Sequence, residues 1–167
     1  MNTRTLTRTA LLTAMLVAVQ FVTRSLGQFV TGSCVNLILF VAAELCGGWG
    51  AAVVALLSPF CAFLLGIGTP ILRLVPAIAL GNLTVVLLAR WLREQNPYLA
   101  VVIAAVCKFL LLYGLIVKLL LPSLGLPEAK AAVLSASFSW PQLVTALLGG
   151  MLSVPVRRVL NRTLAKE

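Results

Sequence analysis

The stretch that decides the fold is YLAVVIAAVCKFLLLYGLIVKLLL, residues 98–121, which is the longest apolar run in the chain. A helix of about 20 residues crosses the hydrocarbon core of a bilayer, so this run is long enough to span a membrane. Lys108 lies near its middle. A charge at that depth costs about 2.5–3.5 kcal/mol on insertion scales, and such residues usually face a bundle interior or an aqueous cavity. We therefore interpret Lys108 as part of a site within a membrane protein.

The composition extends this interpretation to the whole chain. Of the 167 residues, 61% are hydrophobic and only 10% are charged. A soluble domain carries about a quarter charged residues, and a globule of this size leaves much of its surface in water. Because no polar stretch is long enough for a second domain, we predict a single integral membrane domain over residues 1–167.

The charged residues exclude several classes of function. The net charge is +9, but the basic residues fall at the breaks between apolar runs, which is typical of membrane topology rather than nucleic-acid binding. The chain has no histidine and only four acidic residues. It also lacks a G-x-x-x-x-G-K-[ST] sequence for ATP and any CxxC spacing among its four cysteines. We expect no catalytic residue, no metal site and no cofactor.

Apolar periodicity and breaks predict an all-α integral membrane fold, a bundle of six transmembrane helices. The break at 122–139 is predicted to hold a short surface helix at 128–134. With the amino terminus inside, eight of the thirteen basic residues lie on the cytoplasmic side and three outside, so both termini are predicted to be cytoplasmic. The predicted spans are residues 9–23, 32–46, 49–67, 74–89, 98–121 and 141–156.

Small and polar residues within the spans are candidates for function. Ala10 and Ala14 form an Ala-x-x-x-Ala pair on the first helix, a spacing that serves either association with another helix or internal packing. In the sixth span one helical face carries a polar and small stripe, which indicates either close packing or a ligand wall. The stripe consists of Gln142, Thr145, Gly149 and Ser153.

Lys108 needs an anion, carbonyl groups or water as a partner. An ion pair with Glu44 is geometrically doubtful, because Glu44 lies near the inner end of the second span. Lys118 can extend its ammonium to the interface instead. Asn36 and Asn82 are amides at membrane depth, where an unpaired polar group is costly, so each bonds either a neighbouring helix or a ligand.

The chain resembles the substrate-binding (S) component of an energy-coupling factor (ECF) vitamin transporter. TALLTA at residues 9–14 is similar to the first-helix motif of that family. The resemblance extends to RLVPAIALGNLTVV at 73–86 and to TGSCVNLILFVAAELCGGWGAAVVALLSPFCAFLLGIG at 31–68. It implies a plasma-membrane protein that captures a vitamin or related micronutrient at its outer face and releases it inside.

The resemblance also implies partners and a pocket. Ala10 and Ala14 would contact the transmembrane coupling (T) component, and two ATPase subunits would supply the energy. The pocket would lie in the outer halves of spans four to six, beneath the loops that follow spans one and three. Its residues would be Arg73, Asn82, Lys108, Tyr113, Trp140, Gln142 and Thr145, with Gln28 and Asn36 contributing from above.

Arg73 and Lys108 have no obvious carboxylate partners, so we expect an anionic or carboxylate-bearing substrate, with a ring stacked on Trp140 or Tyr113. Two other functions remain open. A structural or assembly protein without a ligand explains the apolar composition but not the polar residues inside the spans. An intramembrane enzyme is disfavoured by the missing histidines and paired acids.

Overall fold

The structure is a computed structural model that describes residues 2–92 and 94–164, without the side chains of 161, 163 and 164. Arg93 and Lys166, counted above on the cytoplasmic side, lie outside the described residues. This part of the chain forms eight α-helices, α1 to α8, joined by short connections. A π-helical segment, Tyr113–Leu120, continues α5. The helices are α1 (Thr3–Thr23), α2 (Gln28–Leu45), α3 (Gly47–Leu64), α4 (Val75–Leu92), α5 (Pro97–Leu112), α6 (Leu121–Ser123), α7 (Glu128–Ser137) and α8 (Trp140–Leu164).

Six segments of the described chain are long and apolar enough to cross a membrane, which confirms the predicted six-helix fold. The boundaries differ from the predictions at the polar ends. The first span begins at Thr3, where the Asn2 side chain accepts a hydrogen bond from the Thr5 N–H at 2.9 Å. The second begins at Gln28, and α8 continues to Leu164. Hydropathy misses such turns because polar residues form helix where water or a cap satisfies the backbone. The surface helix predicted at 128–134 is α7.

The two ends of the bundle are distinguished by the contacts between helix termini. At one end, which we call the terminal end, the start of α1 and the last turns of α8 lie together. There Arg8 donates to the Leu45 carbonyl at 3.4 Å, and Arg157 Nε lies 3.2 Å from Glu44 Oε2. Glu44 therefore pairs with α8 at the terminal end and not with Lys108. The opposite end, which we call the cavity end, carries the α1–α2 and α3–α4 connections and α7.

Close packing of α2 against α8 organises the middle of the bundle. A Cβ atom added at Gly149 would meet the Ser33 carbonyl oxygen, and it would lie 2.6 Å from the Leu37 nitrogen. The two backbones are thus in direct contact, which is the role of small residues at helix crossings in membranes. Leu16 of α1, Leu39 of α2 and Val54 of α3 are fully buried in the main apolar core.

Candidate functional site

A cavity of about 410 Å³ lies in the cavity end of the bundle. This volume falls within the range of small-molecule sites, roughly 300–1,000 Å³. The resemblance implied a pocket made mainly by spans four to six, but all six spans line this cavity, and α2 and α3 supply a large part of the wall. The connections after spans one and three also line it, as expected. Its lining includes Gln20, Arg24, Gly27, Gln28, Thr31, Asn36, Phe63, Ile67, Ile78, Asn82, Lys108, Phe138 and Gln142.

Lys108 lies at the inner end of the cavity and is only 3% exposed. Its Nζ donates hydrogen bonds to Asn36 Oδ1 at 2.8 Å and to Asn82 Oδ1 at 3.0 Å. Asn36 belongs to α2, Asn82 to α4 and Lys108 to α5. We call these three residues the Lys108 cluster. The buried ammonium thus joins three spans. It is the hydrogen-bond partner of the two asparagine amides, which the sequence did not identify.

The nitrogen atoms of both asparagines are held by other groups. Asn36 Nδ2 donates to the Gly32 carbonyl at 2.8 Å and lies 3.5 Å from Thr145 Oγ1. Asn82 Nδ2 donates to Ser58 Oγ at 3.4 Å. Each amide oxygen is thereby turned toward Lys108, because the nitrogen end of the same amide is engaged elsewhere. The lysine side chain is fixed by its neighbours before any ligand arrives.

The local sequence explains how Lys108 reaches α4. A Cβ atom added at Gly81 would lie 2.9 Å from Leu112 Cδ2. Because glycine has no side chain, α5 approaches α4 at this level, and Lys108, one turn before Leu112, comes within hydrogen-bond distance of Asn82. The adjacent Gly81-Asn82 pair thus provides both the close approach and the acceptor.

The charge of the cavity has one sign. Among the lining residues only Lys108 and Arg24 are charged, and both are basic. An ammonium has three N–H donors, and the Lys108 cluster uses two of them. The third N–H is left over at the cavity wall, and no acidic residue of the described lining neutralises the charge.

Glutamine side chains join the helices nearer the mouth. Gln28 of α2 and Gln142 of α8 both donate to the carbonyl oxygen of Ser137, the last residue of α7. Phe138, which follows, is buried and lines the cavity. The end of α7 is therefore tied to two spans at the cavity wall.

The structure brings together five of the nine residues predicted to bind substrate. Gln28, Asn36, Asn82, Lys108 and Gln142 line the cavity. Thr145 is buried behind Asn36. Of the polar stripe on α8, Gln142 lines the cavity, Gly149 contacts α2, and Ser153 is buried like Thr145.

The other three predicted residues lie away from the cavity lining. Arg73 is exposed, on a short turn before α4, and Trp140 is 60% exposed with its ring 5.6 Å from that of Phe29. Tyr113 lies beside Phe109 and under the Lys118 ammonium.

Sequence reasoning missed Arg24 and Ser58. Ser58 had a usable signal, since it is a hydroxyl in the middle of a span directly before Pro59. Arg24 had no such signal, because an arginine in the connection between two spanning helices is common whether or not it belongs to a site. In the described part of the chain, no group of histidine, cysteine or acidic residues is placed to hold a metal ion.

The small residues of α1 lie on its outer surface. Ala10, Ala14 and Ala18 are exposed, whereas Leu12 and Leu16 face the core. The Ala-x-x-x-Ala pair therefore does not serve packing within this chain, and it leaves a shallow face on α1 that another helix can approach closely.

A six-helix membrane bundle with an internal cavity and a fixed cation defines a membrane protein that binds a small molecule. Residues 4–160 match the family described as ECF transporter, substrate-specific component. The match covers nearly the whole chain, and the protein belongs to this family. It is therefore a multi-pass plasma-membrane protein that serves as a substrate-specific uptake subunit and works with a T component and ATPase subunits. Comparison of the chain with curated proteins and with solved structures found no match in either set.

Proposed function

We propose that the cavity captures a small, water-soluble vitamin or related micronutrient that carries an anionic group, with Lys108 as its countercharge. The observation that carries this proposal is the Lys108 cluster, a buried cation with two neutral acceptors in a cavity whose lining has no acidic residue. An anion at Lys108 would complete the third hydrogen bond and neutralise the charge. The apolar remainder of the wall, including Phe63 and Phe138, would enclose an uncharged body.

The cavity end is proposed to face the outside and the terminal end the cytoplasm. The argument is the positive-inside bias, since Arg4, Arg8, Arg90, Arg157 and Arg158 belong to the terminal end. Substrate would then enter from the outside, past the connections that line the cavity. Direct roles for Arg73, Tyr113, Trp140 and Thr145 in binding remain predictions.

Native mass spectrometry of the detergent-purified protein tests this proposal. We expect a small molecule with a carboxylate or other acidic group to copurify. Lys108→Gln should weaken its retention roughly 10- to 100-fold, since hydrogen bonds to charged groups contribute about 1.5–3 kcal/mol. Lys118→Gln is the matched control, because Lys118 is an exposed lysine on the same span. Equal retention in the two variants, or a cationic molecule, would contradict the proposal.

Ala10 and Ala14 are proposed to contact the T component through the exposed face of α1. Ala14→Trp should block assembly of the complex while the isolated protein keeps its copurifying molecule. Leu110→Trp is the control, because Leu110 is 58% exposed on a different span. Copurification of a tagged T component reports assembly, and normal assembly of the Ala14 variant would show that this face is not the contact.

The assembly protein without a ligand remains the alternative. It would be favoured if neither the wild type nor any variant retained a small molecule after purification in a mild detergent.

A further inference from the structure

Arg24 is the second charged residue of the cavity lining, and the proposed function does not use it. It begins the short turn between α1 and α2, and its guanidinium lies 4.5 Å from the ring centroid of Phe21. A guanidinium stacked on a ring keeps its N–H donors at its edge, where an acceptor can reach them. Phe21 is 49% exposed and does not line the cavity, so the stacking holds the guanidinium at the rim without neutralising it.

Arg24 and Lys108 lie at different depths of the same cavity. Asn36, the partner of Lys108, follows Gln28 on α2 and lies roughly 12 Å deeper at about 1.5 Å of rise per residue. Arg24 precedes Gln28 in the chain and is exposed, so it lies at the mouth. The other charged groups toward the cavity end do not line the cavity; they are the basic Arg73, Lys118 and Lys130 and the acidic Glu128.

We propose that Arg24 is a specificity-determining residue at the mouth, which attracts anions into the cavity and repels cations before they reach Lys108. This inference rests on the proposed function, since it assumes that the cavity is the route of the substrate. A cleft lined by one sign of charge with apolar walls concentrates ions of the opposite sign and raises their rate of entry. Lys108 would then hold the anion, and Arg24 would select it.

The test measures the potential inside the cavity and needs no knowledge of the substrate. Ile78 lines the wall one helical turn from Asn82 toward the mouth, so Ile78→Cys provides a thiol between the two levels. The background carries alanine at the four native cysteines, and the protein is held in a neutral maltoside detergent. The thiol is reacted with two methanethiosulfonates of similar size, one with an anionic sulfonate group and one with a cationic trimethylammonium group.

For each reagent, the rate with the introduced thiol is divided by its rate with a free thiol in solution. We expect this ratio to be higher for the anionic reagent than for the cationic one. Arg24→Gln should lower this preference by on the order of fourfold, which is the change that one unit charge at an assumed distance of about 10 Å in water makes between two ions of opposite sign. Lys130→Gln is the matched control and should leave it unchanged, because Lys130 is an exposed basic residue at the same end but outside the lining. If Ile78→Cys does not fold, Thr31→Cys reports from the α2 wall, although it loses a hydroxyl that donates to the Thr23 carbonyl at 2.8 Å.

The outcomes separate this inference from the proposed function. If Lys108→Gln lowers the preference and Arg24→Gln does not, the anion site stands and the role of Arg24 is refuted. If the reporter protein with Arg24 and Lys108 intact shows no preference for the anionic reagent, the role of Arg24 and the proposed anion site both fail. An Arg24 that contributes only to the surface charge of the cavity end would give the same ratio in Arg24→Gln and Lys130→Gln, which also refutes the inference.

Discussion

Gly149→Ala tests whether the direct contact of α2 and α8 holds the bundle together. The added Cβ would meet the Ser33 carbonyl oxygen and lie 2.6 Å from the Leu37 nitrogen. Both are backbone atoms, which cannot rotate away as the end of a side chain can. The two helices must therefore separate until the methyl group fits, and every contact along the crossing weakens.

The expected cost is that of overpacking, about 1–3 kcal/mol and occasionally more. For a chain of this size each kcal/mol moves the Tm by about 2–4 °C, so the Tm should fall by roughly 2–12 °C. Gly114→Ala is the matched control. A Cβ at Gly114 would meet nothing within 4 Å, so this variant should be neutral, or gain up to about 1 kcal/mol from helix propensity.

Both variants are purified in the same detergent, and their unfolding is followed by intrinsic fluorescence at one scan rate. The separation of α2 from α8 should also loosen the contact of Thr145 with Asn36, so Gly149→Ala should retain less of the copurifying molecule than Gly114→Ala. Equal Tm values for the two variants would refute the reasoning, because they would show that the crossing adapts without cost.

Three further predictions concern single side chains. Glu44→Gln removes a carboxylate that lies beside Arg157 and is only 14% exposed, and it should destabilise the protein by about 1–3 kcal/mol; an unchanged Tm would show that this carboxylate does not stabilise the bundle. Asn82→Leu leaves Lys108 with one amide acceptor and should destabilise the protein by about 1–3 kcal/mol; an unchanged Tm would show that Asn82 is dispensable. Trp140→Leu should cost less than about 1.5 kcal/mol and, if a substrate ring stacks on the indole as predicted, weaken retention of the copurifying molecule; unchanged retention in native mass spectrometry would refute that role.

The sequence predicted the fold well because hydropathy acts locally. A run such as residues 98–121 must be a spanning helix whatever surrounds it, since only a helix satisfies its own backbone in lipid. Lys108 could be singled out for the same reason, because a charge in such a run needs a partner. The ends of α1 and α8 were misplaced because their polar turns carry no hydropathy signal.

The partners of each polar residue were less predictable. The stripe from Gln142 to Ser153 was correctly assigned to one helical face, but its members divide between the cavity and the contact with α2. Arg73 and Arg24 look equivalent in the sequence, as single arginines in connections at the same end. Only Arg24 lines the cavity, because the direction of a connection depends on the helices it joins.

The sequence alone determined that this protein is a six-helix membrane bundle with a cation inside it, because burial in lipid constrains each span separately. The tertiary structure decided that Asn36 and Asn82 hold that cation and that the alanines of α1 face outward. These facts depend on how far each helix is rotated about its axis and how closely it approaches its neighbours. Rotation and approach are set by contacts between distant residues, such as Gly81 with Leu112 and Gly149 with α2, and no single span encodes them.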